Sequence, residues 1–251
     1  VWEEDVTSKD DWGLEHVVFA GATVATVVGA VTGRERLQKI AKPLIAPALA
    51  ARVVRRRGAT DSVDAGLLLA GLTGATVGDV FMIDPDDDAR LVRGASAFAV
   101  MQACYSALLL RNGARPTPAA WGPRLAGWLG AALLLRARSA GVAAPLTGYG
   151  SALATTSTLA ADPTLAPGAG VVASVAIPSV DRRSWLGLGG VLFTASDGLI
   201  VVRRLFVRRE RGRAVTEGLI LASYAAAQLL LVEGMLALRR RNTGRRVTDT
   251  A

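Results

Sequence analysis

The sequence predicts an all-α polytopic membrane protein, a bundle of about eight transmembrane helices. Three observations carry that prediction. Hydrophobic residues make up 51% of the 251 residues before the 27 glycines are counted, while charged residues are 20% and aromatics 5%; a soluble domain reaches only ~45–50% with glycine included. The apolar residues fall in successive runs of membrane-crossing length. The arginines gather where those runs end, as in Arg52/Arg55/Arg56/Arg57, Arg203/Arg204/Arg208/Arg209 and Arg239/Arg240/Arg241, which is how membrane-flanking loops are charged.

Taken in order, the spans are Leu14–Val31, Ile40–Val54, Val63–Ile83, Leu91–Leu110, Ala119–Leu135, Val142–Ala160, Trp185–Val202 and Ala214–Leu238. The second and fifth are short and are expected to tilt or to lie buried among their neighbours. Residues 14–238 thus form the transmembrane domain, between an acidic segment, 1–13, and a basic tail, 239–251. The first segment sets Glu3, Glu4, Asp5, Asp10 and Asp11 against Lys9, the reverse of a basic leader, so no cleavable signal peptide is expected. The longest connection, 161–183, has an apolar centre, Ala166–Ile177, too short to span and expected to be interfacial or re-entrant. Lys and Arg divide 15 against 14 between the two faces, a balance that favours cytoplasmic termini only through the tail, Arg239 to Arg246. Small residues four apart, Gly21/Ala25/Gly29 and Gly74/Gly78, predict close helix packing.

The net charge of +8 does not indicate a nucleic-acid binder, because the basic residues border apolar runs instead of interleaving with aromatics along a groove. One cysteine and one histidine exclude a disulfide scaffold, a standard zinc cage and a Cys/His dyad. Cys104 reads as a small buried hydrophobe, His16 as an interfacial residue, and Asp84, Asp86, Asp87 and Asp88 as a solvated acidic loop. No metal and no cofactor are expected.

Charges inside spans are costly and mark function. Asp79 and Asp197 are isolated carboxylates in the third and seventh spans, and Lys42 opens the second beside Pro43. In an eight-span topology all three lie near one face, the carboxylates roughly 8–9 Å inside it by the helical rise. Two carboxylates and an ammonium at one level predict a polar pocket for acid and base work; the plainer alternative is a structural pair of Lys42 with one aspartate. Thr76-Val-Gly-Asp79 echoes Thr194-Ala-Ser-Asp197, and Tyr105 echoes Tyr224, which predicts two four-helix halves meeting at the site.

These residues, in this order, resemble the YhhN family of integral membrane proteins, which includes lysoplasmalogenases. Lys42-Pro43-Leu44 resembles the family's second-helix start and Gly78-Asp79 its third-helix pair. Gly94, Phe98 and Tyr105 follow the spacing of the fourth helix. Ser196-Asp197 matches the seventh, and Tyr224 with Gln228 the last. The resemblance implies a multi-pass enzyme of the cell membrane that hydrolyses the vinyl-ether bond of a lysophospholipid. In it Asp79 and Asp197 are catalytic, while Lys42, Gln102, Tyr105, Ser196, Tyr224 and Gln228 bind or orient substrate. Membrane lipids are the other expected partners. Gln102 departs from the pattern, which has His there; glutamine can hydrogen-bond but cannot shuttle a proton near neutral pH. Two other classes stay open: a proton- or cation-coupled transporter using the same aspartates, with Glu233 as a polar residue in the opposite half, and a non-catalytic lipid-binding or structural membrane protein.

Overall fold

In the computed structural model, residues 13–59, 61–84 and 86–248 are described, with side chains to Leu238; the acidic segment up to residue 12 and the side chains of the basic tail lie outside that range. The described residues are all-α apart from one small hairpin. The helices are α1 (Leu14–Thr32), α2 (Glu35–Ala41), α3 (Ile45–Arg55), α4 (Ser62–Phe81), α5 (Asp88–Arg111), α6 (Pro118–Arg138), α7 (Ala140–Ala160), α8 (Trp185–Phe206) and α9 (Glu210–Thr248). Each expected span coincides with a helix except the second. There Pro43, which has no N–H to donate, interrupts the chain with a 3₁₀ turn, Lys42–Leu44, between α2 and α3.

Four segments are long and apolar enough to cross a membrane: Leu14–Thr32, Ser62–Phe81, Arg182–Phe206 and Glu210–Leu238. Helices α5, α6 and α7 match them in length, at 24, 21 and 21 residues. They carry Arg93, Arg124 and the run Thr155–Thr158 within the rod. The outer face of α1 is valine, with Val17, Val24 and Val31 exposed, as a lipid-facing stripe should be.

The densest packing joins α8 to α9 and α4 to α5, with α7 against α5 and α6, and α1 against α9. The small-residue ridge of α4 is used as expected. A methyl group on Gly74 would lie 2.9 Å from the Ala97 carbonyl oxygen and one on Gly78 2.7 Å from the Phe98 ring, so both glycines let α5 close on α4. The α1 ridge is used only at its end: Gly29 meets the Gln38 backbone, while nothing lies near Gly21.

The connection 161–183 folds in part as a two-stranded hairpin. Strands β1 (Val171–Val172) and β2 (Val175–Ala176) pair antiparallel, and Val175 and Ala176 rest against α8 at Gly187. This is the one departure from a purely helical plan among the described residues.

Charged contacts hold both ends of the bundle. At one end, the acidic loop between α4 and α5 is solvent-exposed, as expected, and is ion-paired as well: Asp86 accepts from Arg203 (3.1 Å) and Arg213 (2.5 Å), and Asp88 from Arg204 (2.5 Å). Burial raises the pKa of Asp86, but the hydrogen bonds from Arg213 and Arg203 outweigh it and hold the carboxyl below its ordinary value. At the other end, Glu233 of α9 is buried and accepts from Arg52 of α3 (2.9 Å) and Arg182 (2.5 Å). His16 lies 3.3 Å from the same carboxylate. The histidine expected at the interface is therefore buried, set between Glu233 and Glu15, whose carboxylate lies 3.7 Å from its other ring nitrogen.

Removing Glu233 takes away a carboxylate shared by three basic side chains, so Glu233→Gln should cost about 3 kcal/mol in detergent unfolding. Glu35→Gln, which breaks only the exposed pair with Lys39, should cost under ~1 kcal/mol. Because the folded pKa of Asp86 is depressed, its contribution is present at neutral pH and is lost as pH falls through that pKa. The thermal-stability advantage of wild type over Asp86→Asn should therefore hold at pH 7 and shrink below about pH 4.

Candidate functional site

Asp79 sits in the last turn of α4 and is 1% exposed. A carboxylate there opposes the negative end of the helix dipole and needs compensation. Part of it comes from Lys42. The broken helix at Pro43 delivers this side chain into the bundle, where its ammonium donates to the carbonyl oxygen of Met82 (2.7 Å), the residue that caps α4. A cation thus closes the helix end just past Asp79.

The carboxylate itself is held by a relay of side chains from two other helices. Tyr224 of α9 donates to Asp79 Oδ2 (2.8 Å). Gln228, one turn further along α9, donates to the Tyr224 oxygen (3.2 Å) and accepts from Tyr105 of α5 (3.0 Å). Asp79 Oδ1 has no protein partner. The tyrosine is aimed by packing: Phe98, Phe193 and Tyr224 stack edge to face with centroids 5.6–6.3 Å apart. Gly78 leaves the room that Phe98 occupies, and Gly71 does the same for Tyr105, whose ring would lie 2.8 Å from a methyl group there.

Asp197 sits about midway along α8 and is only partly buried. Its Oδ2 accepts a short hydrogen bond from Tyr149 of α7. Ser196, its neighbour, is buried and donates to the Ile220 carbonyl (3.0 Å), pinning α8 to α9 directly beside the aspartate.

Both aspartates line one cavity of about 710 Å³, bounded chiefly by α6, α7 and α8. Lys42, Ser196 and Tyr224 also line it. Gln102, Tyr105 and Gln228 do not; all three are fully buried behind the wall. Neither atom of the Gln102 amide has a hydrogen-bond partner among the described residues.

The cavity is charged at one end and apolar along its length. Lys42, Arg203, Arg204 and Glu217 mark the charged mouth, beside the ion-paired α4–α5 loop. Aliphatic and aromatic side chains such as Leu146, Leu153, Val191 and Phe193 form the wall. Such a shape accepts an amphiphile, with its anionic group at the mouth and its chain along the wall. The Glu233 cluster lies further along α9, past its middle, and is not among the residues that line this cavity.

Sequence reasoning missed Tyr149. The signal was available: the chain has three tyrosines, and all three lie in the networks around the aspartates. It also missed Arg124, an arginine inside the fifth span, which lines the cavity and donates to Ser157 Oγ (2.9 Å) and the Ala120 carbonyl (2.7 Å). The repeat of motifs does not extend to the bonding. Tyr224 reaches Asp79, but Asp197 takes its hydrogen bond from α7, and Tyr105 stands at the far end of the relay.

The two tyrosine–aspartate bonds should differ in worth. Tyr224→Phe leaves a fully buried carboxylate without its donor and should cost about 2 kcal/mol. Tyr149→Phe affects a carboxylate that cavity water can reach and should cost about 1 kcal/mol or less. Unfolding of both variants in detergent micelles measures the difference.

Neither the curated proteins nor the solved structures offer a match to this chain. Among protein families, residues 37–235 match the YhhN family, a stretch that runs from the broken second helix past Gln228 and takes in both aspartates. The chain belongs to the YhhN family.

Proposed function

We propose that this protein is a lipid hydrolase embedded in the cell membrane by eight crossings, with the broken rod α2–α3 counted as one. It opens the vinyl-ether bond of lysoplasmalogens, or of a closely related lyso-ether lipid, and releases a fatty aldehyde and a glycerophospho-headgroup. The observation that carries this reading is the presence of two carboxylates from different helices, each held by a tyrosine, in the wall of one apolar cavity with a cationic mouth. The family's link to lysoplasmalogenase activity supports the same reaction class.

The chemistry suits the residues. Hydrolysis begins when one carboxylic acid of the pair protonates the β-carbon of the vinyl ether, which leaves an oxocarbenium ion. The other carboxylate stabilises that cation across a low-dielectric wall and then takes a proton from the attacking water. Oxygen adds to the former vinyl carbon, and the proton taken from water restores the pair's single proton; the resulting hemiacetal collapses to aldehyde and alcohol as its hydroxyl proton passes, by way of the pair, to the leaving oxygen. Tyr224 and Tyr149 fix the two carboxyl groups, while Gln228, Tyr105 and Gln102 act as positioning residues behind them. Lys42, with Arg203 and Arg204, receives the headgroup phosphate. The distal end of the cavity rests on the hairpin and not on the Glu233 cluster, which favours a blind pocket over a pathway open to both faces.

Aldehyde release from lysoplasmenylethanolamine by the purified protein is the direct test. Asp79→Asn and Asp197→Asn should each lower kcat by about 10²–10⁴ with the helical content unchanged. Turnover that survives both substitutions would remove the two-aspartate mechanism. A wild type inactive on every lyso-ether lipid would turn the reading towards lipid binding or transport.

A further inference from the structure

The hairpin Val171–Ala176 touches the same cavity at the end remote from its charged mouth. Ala173 and Val175 belong to the wall. The strands pair Val171 with Ala176 and Val172 with Val175, so Ala173 and Ser174 form a two-residue turn, and both have positive φ, 50° and 65°. A tight turn of this kind normally takes Asn-Gly. An alanine in the left-handed region persists only where its surroundings hold it, and here it places a methyl group on the cavity surface that glycine would not supply. The hairpin cannot recede freely either. It is seated on α8 at Gly187, where a methyl group would lie 3.1 Å from Val175 Cγ1 and 3.4 Å from the Ala176 nitrogen.

Distance and polarity then define a slot. Ten residues of α8 separate Asp197 from Gly187, about 15 Å at the helical rise, which is the length of an extended chain of about a dozen carbons. The slot is apolar along that length. Arg124 also lines the cavity, bonded to Ser157, which packs against Gly190 of α8, and a hydrocarbon chain passing its guanidinium would have to desolvate a charge. A chain therefore gains from each added methylene until it meets the hairpin, and gains nothing beyond.

We propose that the hairpin, through Val175 and Ala173, is the specificity-determining stop that sets the hydrocarbon length this protein accepts. The proposal rests on the reading of the ligand as a single-chain lipid with its headgroup at the Lys42 mouth. It does not depend on the ligand being cleaved.

The test is binding of a homologous series of saturated alkyl-ether lysophospholipids, which have no vinyl ether to hydrolyse, to the full chain in nanodiscs. For wild type, Kd should tighten about fourfold per methylene up to a tail of about a dozen carbons and then level off. Val175→Ala should move that break to longer chains by about one or two methylenes, the room its lost methyl groups leave. Val175→Leu should move it to shorter ones. A break at the same length in all three proteins, or no break at all, overturns the proposal, and Val175→Ala alone decides it if the leucine variant does not fold. Aldehyde release from the corresponding vinyl ethers separates the two ideas. Breaks that move in a wild type and variants without aldehyde release leave the stop intact and remove the hydrolase, and release with unmoved breaks does the reverse.

Discussion

A carboxylate buried between helices must find donors and countercharge inside the protein, because lipid supplies neither. Asp79 is where that requirement is most severe, and much of the bundle is arranged around it. The end of α4 that carries it is capped by Lys42, which reaches the cap only because Pro43 breaks the preceding rod. Its oxygen is held by Tyr224, whose ring is wedged by Phe98 and Phe193, and Phe98 fits only because residue 78 is glycine. The same requirement thus accounts for a helix break, a close helix contact and an aromatic cluster.

The second aspartate is treated differently, and the difference has chemical meaning. Asp197 lies on a longer helix, is partly exposed to the cavity and relies on one tyrosine from α7. Two carboxyl groups in unlike surroundings are what acid and base roles require, since identical environments would give them the same protonation preference. Gln102 enters at this point. It is fully buried behind the cavity wall, and its amide bonds to neither carboxylate.

The charged ends have a separate logic. The loop between α4 and α5 is tied to α8 and α9 by Asp86 and Asp88, and the arginines it engages are those that mark the cavity mouth. At the other end Glu233 gathers Arg52, Arg182 and His16. Removing any one partner of such a cluster leaves the others buried with unbalanced charge, which makes the cluster a strong constraint on how α1, α3 and α9 meet.

Much of this was legible in the linear sequence. Apolar runs of crossing length located the helices, because a helix in lipid must be apolar over its whole length. Isolated acids within those runs located Asp79 and Asp197, because a charge there is retained only with a purpose. The small-residue spacing on α4 foretold a close helix contact, though not that α5 makes it. What the sequence could not determine was partnership. Tyr149 and Tyr224 are both single tyrosines in apolar helices, and only the packing of α7 against α8, and of α9 against α4, decides which aspartate each one serves. The pairing of His16 with Glu233 spans 217 positions, and the hairpin's place at the end of the cavity depends on a seat at Gly187. Local composition sets which segments enter the membrane. Which polar groups meet there is decided by helix packing, since each buried group takes whatever donor or acceptor the tertiary structure brings within reach.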